Sequence, residues 1–208
     1  MKYKKNISEN YDCSIDTNLQ IYRTHFFSKF EEEKVNLLGF SLGAYTAAYF
    51  TTKYPNRVNK LFLVAGTPGC MNKDEIEKRK LTLKQMNNLG FKGLSHKKVL
   101  TLIEDENHTD EKLINLIKDM FSDLGQDVYN VQMNSTFNRK DISKELTNLN
   151  LPIKMFYSTK DRLFSHRVLE NFTDEHTHIK LVSREGTSHM ISLEDPEKLA
   201  EEIREWIV

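Results

Sequence analysis

The sequence predicts an α/β domain: a mostly parallel sheet flanked by helices, with a helical segment inserted ahead of its third strand. Three observations carry this. Four short runs are almost wholly apolar, as in parallel strands covered on both faces. Helical patterns separate them, and strand–helix alternation favours right-handed parallel crossovers. Finally, the stretch between the second and third runs is far longer than one crossover needs.

The elements follow in chain order. Ser14 to Phe30 reads as a helix leading into the first strand, Val35 to Gly39. Residues 42–53 are helix-compatible, with small Gly43, Ala44, Ala47 and Ala48 permitting close approach to a sheet. Leu61 to Gly66 is the second strand. No strand candidate occurs over residues 68–150. Instead Asn72 opens a helical pattern running to Gly90, Ser95 opens another, and Thr109 opens a third that ends at Gly125. This predicts a helical cap over residues 68–140 and a core built from residues 1–67 and 141–208. Asp141 to Asn148 returns the chain to the third strand, Ile153 to Ser158, and Ile179 to Ser183 is the fourth. The last helix, 195–207, begins with Asp195 as N-cap and Pro196 at its first position. Its apolar face is Leu199, Ile203, Trp206 and Ile207.

Composition narrows the function classes. Thirty Lys+Arg balance thirty Asp+Glu, so no basic excess favours nucleic acid or an anionic membrane. No apolar run approaches the roughly 18 residues of a membrane span. Met1 to Asn6 is charged with no apolar stretch behind it, so it is not a signal peptide. Cys13 and Cys70 make neither a disulfide framework nor a zinc site and read as structural thiols. Phosphate-cradling glycine motifs are absent. His176-Thr177-His178 lacks a third ligand and reads as a solvated turn, and Asp105 to His108 as a loop between helices. The expectation is a cytoplasmic protein with a small-molecule substrate and neither a nucleic-acid nor a membrane partner.

The strongest chemical signal is Gly39-Phe40-Ser41-Leu42-Gly43, between an apolar strand and a small-residue helix. A serine at so sharp a turn is held in a strained backbone, and the flanking glycines are needed where neighbouring chains come too close for a side chain. The turn lifts the hydroxyl above the sheet at a helix N-terminus, where the Leu42 N–H can help stabilise an oxyanion. A nucleophilic serine needs a base, and the base an orienting acid. Of seven histidines, His189 is best placed, following the last strand across Arg184-Glu185-Gly186-Thr187-Ser188. Asp161 follows the third strand in Ser158-Thr159-Lys160-Asp161-Arg162. The order Ser, Asp, His is the one this architecture requires. Candidate substrate contacts are Phe40, Phe121 and Phe137. The last two, with Phe91, Leu94, Met120 and Met133, either line an acyl or aromatic pocket or form the insertion's own core.

These residues resemble a known family. Gly39 to Ala44, Tyr157-Ser158-Thr159-Lys160-Asp161, and Gly186-Thr187-Ser188-His189 followed by Glu194-Asp195-Pro196-Glu197 look like the α/β-hydrolase superfamily. Leu149-Asn150-Leu151-Pro152-Ile153 resembles the lead-in to the acid-bearing strand in its lidded serine esterase and peptidase branch. The resemblance covers most of residues 14–67 and 141–208. It implies Ser41 as nucleophile, Asp161 as acid and His189 as base, with no metal or organic cofactor. A serine nucleophile argues against the dehalogenase and epoxide-hydrolase branches, which use aspartate there. The family sheet normally has four strands before the one carrying the serine, but only 34 residues precede Val35. An N-terminally truncated core is therefore expected, without the loop that supplies a second oxyanion donor. It would leave a sheet edge through which copies of the chain could associate. The expected activity is hydrolysis of a small carboxylic ester, thioester or amide. A non-catalytic relic, a small-molecule-binding protein and an acyltransferase using the same triad are the alternatives left open.

Overall fold

Strand β1 (Val35–Phe40) runs into helix α1 (Leu42–Lys53) through Ser41 alone, in a computed structural model that describes residues 34–172 and 176–208. Strands β2 (Val58–Val64), β3 (Ile153–Ser158) and β4 (Ile179–Arg184) complete a four-stranded sheet in the order β1-β2-β3-β4. Every pair is parallel. All four C-terminal strand ends therefore lie along one edge of the sheet, which brings the segments after β1, β2, β3 and β4 together.

Alternation along the strands sorts side chains into two layers. On one face, Leu61, Leu63, Ile153 and Met155 pack with Tyr45 and Ala48 of α1 and with Leu146 of α5 (Ser143–Thr147). On the other, Phe62, Val64 and Phe156 meet Leu199, Ile203 and Trp206 of α7 (Pro196–Ile207). Burial on both faces holds for β3 and most of β2. Strands β1 and β4 are half-exposed, because among the described residues each has a neighbour on one side only.

Several expected boundaries move. Strand β2 starts earlier, at Val58, and stops at Val64 because Ala65 turns to a φ of 47°. Ile207 is 56% exposed and leaves the apolar face expected of it. Asp195 occupies the N-cap of α7 but makes no side-chain cap bond, since its carboxylate pairs with Arg184 at 3.0 Å. The predicted helix over residues 14–30 and Cys13 lie outside the described residues.

Between β2 and β3 the chain is helical. Helix α2 (Lys73–Leu89) starts with the capping box of Asn72 and Glu75 and stops at Gly90, where φ is 76°. The Ser95 side chain caps the short α3 (His96–Leu100). Helix α4 (Glu111–Ser135) is capped by Asp110 rather than Thr109, whose position lies just ahead of it. It kinks at Gly125 (φ 78°, ψ 164°) and continues instead of ending there. The segment has its own core of Val99, Leu102, Ile103, Ile114 and Ile117. Phe40 at the end of β1 and Met190 beyond β4 join that core, which seats the segment over the serine-bearing edge. No described helix is long and apolar enough to cross a membrane.

Candidate active site

Ser41 has φ 53° and ψ −115°, a backbone state that costs on the order of 1–3 kcal/mol and persists only where its surroundings enforce it. Its N–H donates to Val64 O at 2.9 Å, and Ala44 N–H donates to Ser41 O at 3.0 Å. A Cβ at Gly39 would lie 2.6 Å from Gly43 C and 2.7 Å from Ala44 Cα, so glycine is required there. Gly43 corrects the sequence expectation: among the described residues, a Cβ there meets nothing within 4 Å. The second close approach belongs to Gly66, beyond β2, where a Cβ would lie 2.5 Å from Ser41 O and 2.6 Å from Ala44 Cβ.

The turn aims the serine at the histidine. Ser41 Oγ lies 2.8 Å from His189 Nε2, and His189 Nδ1 lies 2.8 Å from Asp161 Oδ2. A carboxylate only accepts, so Nδ1 carries the proton and Nε2 is left to accept the serine hydroxyl. Asp161 Oδ1 accepts the Leu163 N–H at 2.8 Å, which fixes the acid's orientation. Asp161 is 2% and His189 5% exposed, so both are shielded from water. The three residues expected from sequence thus meet from the ends of three different strands. The Phe40 ring stands 5.4 Å from the His189 ring. Leu42 is the first residue of α1, where the N–H has no intrahelical partner. Phe121 packs against the same apolar cluster as Phe40, while Phe137 is half-buried outside it.

What the sequence did not reveal is how the histidine loop is held. The backbone N–H groups of His189 and Met190 both donate to Leu102 O, at 2.9 and 3.2 Å. Glu104, two residues on, accepts from Thr187 N–H at 2.8 Å, Ser188 N–H at 3.2 Å and Thr187 Oγ at 3.0 Å. Its other neighbour is Arg184 at 2.7 Å. Burial pushes the Glu104 carboxyl up, but the Thr187 N–H, Arg184 and Ser188 N–H together hold it below the usual carboxylate range. Gly186 has φ 129°, and a Cβ there would lie 2.8 Å from Glu104 Cδ. Glu194, in the short α6 (Ile191–Glu194), accepts the Glu104 N–H at 2.9 Å, the Asn107 amide at 2.7 Å and the Ser188 hydroxyl. The Asp105–Asn107 turn therefore does more than connect helices. Glu104 and Glu194 are 90 residues apart, and the available sequence signal was only the Gly-Thr-Ser donor run before His189.

Among the described residues, no three His, Cys, Asp or Glu side chains are grouped to hold a metal. The His176 and His178 rings stand edge-on, 6.2 Å apart. Cys70 is exposed, which removes it from the core expected of a structural thiol.

A family model described as alpha/beta hydrolase fold matches residues 26–196. The chain is also similar to solved structures. One is a carboxylesterase from the thaumarchaeon Nitrososphaera gargenis (15% identity, TM-score 0.79, covering 93% of this chain and 71% of that one). Another is a thermophilic esterase from Thermogutta terrifontis (19%, TM-score 0.76, 93% and 70%). A third is the enol-lactonase from Burkholderia xenovorans (14%, TM-score 0.75, 93% and 73%). At these identities the likeness is one of fold. No curated protein matches the chain.

Proposed function

Because the chain belongs to the α/β-hydrolase fold family, we propose that it hydrolyses a small carboxylic ester, thioester or amide with Ser41 as nucleophile, His189 as base and Asp161 as orienting acid. The observation that carries this reading is the unbroken relay from Asp161 Oδ2 through His189 to Ser41 Oγ, 2.8 Å at each step. Ser41 Oγ attacks the carbonyl carbon as His189 Nε2 takes its proton. The negative charge moves to the carbonyl oxygen, beside the Leu42 N–H at the positive end of α1. Collapse breaks the bond to the leaving oxygen, sulfur or nitrogen, which receives the proton from the imidazolium. Water then attacks the acyl-serine, with His189 taking and returning one proton, and the carboxylic acid leaves. Asp161 stays ionised throughout and stabilises the imidazolium through Nδ1–H. Residues 68–140, seated over the strand ends, act in this reading as the lid that excludes water.

A fluorophosphonate probe tests it. The folded protein is expected to gain the phosphonyl mass on the peptide containing Ser41, with no labelling of Ser41→Ala and slowed labelling of His189→Ala. Absence of labelling, or labelling unchanged in Ser41→Ala, sinks the reading.

A further inference from the structure

At the base of the helical segment two arginines lie together with no ion pair to a described residue. The Arg139 guanidinium is centred 4.1 Å over the ring of Tyr45, which is buried in α1 one turn beyond Ser41. The Tyr45 hydroxyl donates to Lys140 O at 3.0 Å, and Ile142 N–H donates to Pro68 O at 3.0 Å. The segment carrying Arg139 is thus fastened both to the nucleophile's helix and to the loop whose Gly66 abuts Ser41 O. Arg79 reaches the same place from α2: its Nη1 donates to Thr136 Oγ at 3.2 Å, and Arg139 N–H meets Thr136 O at 3.5 Å.

Among the described residues, neither charge is held by a direct carboxylate contact. Arg139 Nε is buried with no hydrogen-bond partner. Arg162 and Arg184 are held in ion pairs, whereas among the described residues neither Arg79 nor Arg139 is. Glu75, the acid within reach of both, is committed to the Asn72 N–H at 3.1 Å in the capping box of α2. Burial lowers Arg139 to about 10, and the like charge of Arg79 adds to the effect. Burial likewise lowers Arg79. An unpaired buried guanidinium opposes folding, and a negatively charged partner relieves that cost. A guanidinium also presents a planar fork of N–H donors, matched to carboxylate and phosphate oxygens. Tyr45 covers one face of the Arg139 guanidinium and orients its plane.

We propose that Arg139 and Arg79 form an anion-binding subsite against the nucleophile's helix, which takes a carboxylate or phosphate group carried on the substrate. That the anion is part of a substrate rests on the serine-hydrolase reading; that the site binds an anion does not.

Two measurements separate these claims. Thermal unfolding of Ser41→Ala protein is followed against succinate, inorganic phosphate and uncharged succinamide. Succinate or phosphate raises the midpoint and succinamide does not, the stronger of the two anions naming the group preferred. Arg139→Lys keeps the charge but loses the fork, so it weakens the apparent affinity about tenfold or more, and Arg79→Gln weakens it further. In the second measurement, wild-type protein hydrolyses p-nitrophenyl hemisuccinate with higher kcat/KM than p-nitrophenyl butyrate, and this preference collapses in Arg139→Lys. Equal stabilisation by succinamide, no stabilisation by either anion, or anion affinity untouched in both arginine variants overturns the subsite. Arg139-dependent anion binding without Ser41-dependent turnover leaves the subsite standing and removes the hydrolase reading.

Discussion

Ser41 keeps its left-handed backbone because Gly39 and Gly66 let the chain close against it from both sides, while Gly43, the second glycine of its own motif, is not crowded. The difference is measurable. Gly39→Ala and Gly66→Ala should each destabilise the protein by about 1–3 kcal/mol in urea unfolding, since backbone atoms must shift to admit the methyl group. Gly43→Ala should be neutral or stabilising by up to about 1 kcal/mol, because alanine is the better helix former and the site is open. A Gly43→Ala loss larger than that of Gly66→Ala would contradict this account. The motif made Ser41 legible in the sequence. It could not show which glycine is crowded, because Gly66 comes close only once β2 lies beside β1. Asp161 and His189 were legible for a related reason: polar residues just past apolar strands lie at the sheet's reactive edge. Replacing the acid while keeping its shape, Asp161→Asn, should lower turnover by about 10⁴-fold with the fold intact, because the histidine tautomer is then wrong.

At the scale of elements, the helical segment does more than cover the site. It supplies Leu102 O and Glu104, which hold the backbone of the loop that delivers His189. Glu104→Gln removes the pairing with Arg184 and weakens that hold, so kcat is expected to fall about 10- to 100-fold with KM little changed. Glu104→Asp should recover part of it. A rise in KM alone would assign Glu104 to substrate binding instead. The folded protein holds Glu104 below the usual carboxylate range, so its contribution to stability is present above that range. It is lost as pH falls through the lowered folded value. Wild-type protein should therefore lose stability more steeply in acid than Glu104→Gln does, as followed by urea midpoints against pH. None of this is visible in the sequence, where a backbone carbonyl leaves no signal and Glu104 belongs to no motif. Helices with side-chain caps were readable: Asn72 and Ser95 each start a helix as expected. The end of α4 was not, because a glycine that kinks a helix and one that ends it share the same positive φ.

For the molecule as a whole, the parallel sheet and its helical insertion followed from apolar runs and spacing, but the way α7 is bound to the sheet did not. Lys154 sits within the apolar run of β3, yet its side chain is only 4% exposed. It meets Glu202 of α7 in an ion pair at 2.6 Å and donates to Glu202 O at 2.8 Å. Lys60 reaches the carbonyls of Trp206 and Ile207, both at 3.1 Å, at the negative end of the helix. Breaking the buried pair with Lys154→Met should cost up to about 3 kcal/mol in urea unfolding, because Glu202 stays buried with its remaining partner Lys198 at 3.0 Å. Adding Glu202→Leu should restore most of that loss, and a double variant no better than the single one would contradict it. The sheet and α7 support the strand ends where Ser41, Asp161 and His189 meet, and the proposed chemistry begins with what Ser41 does there. The most direct measurement mixes the protein with p-nitrophenyl acetate, quenches in acid and maps the acetyl group by peptide mass. Acylation of Ser41 as the first step predicts a burst of p-nitrophenol with the acetyl group on Ser41, and neither burst nor acetylation in Ser41→Ala. A burst that persists in Ser41→Ala, or an acetyl group mapped elsewhere, would contradict it.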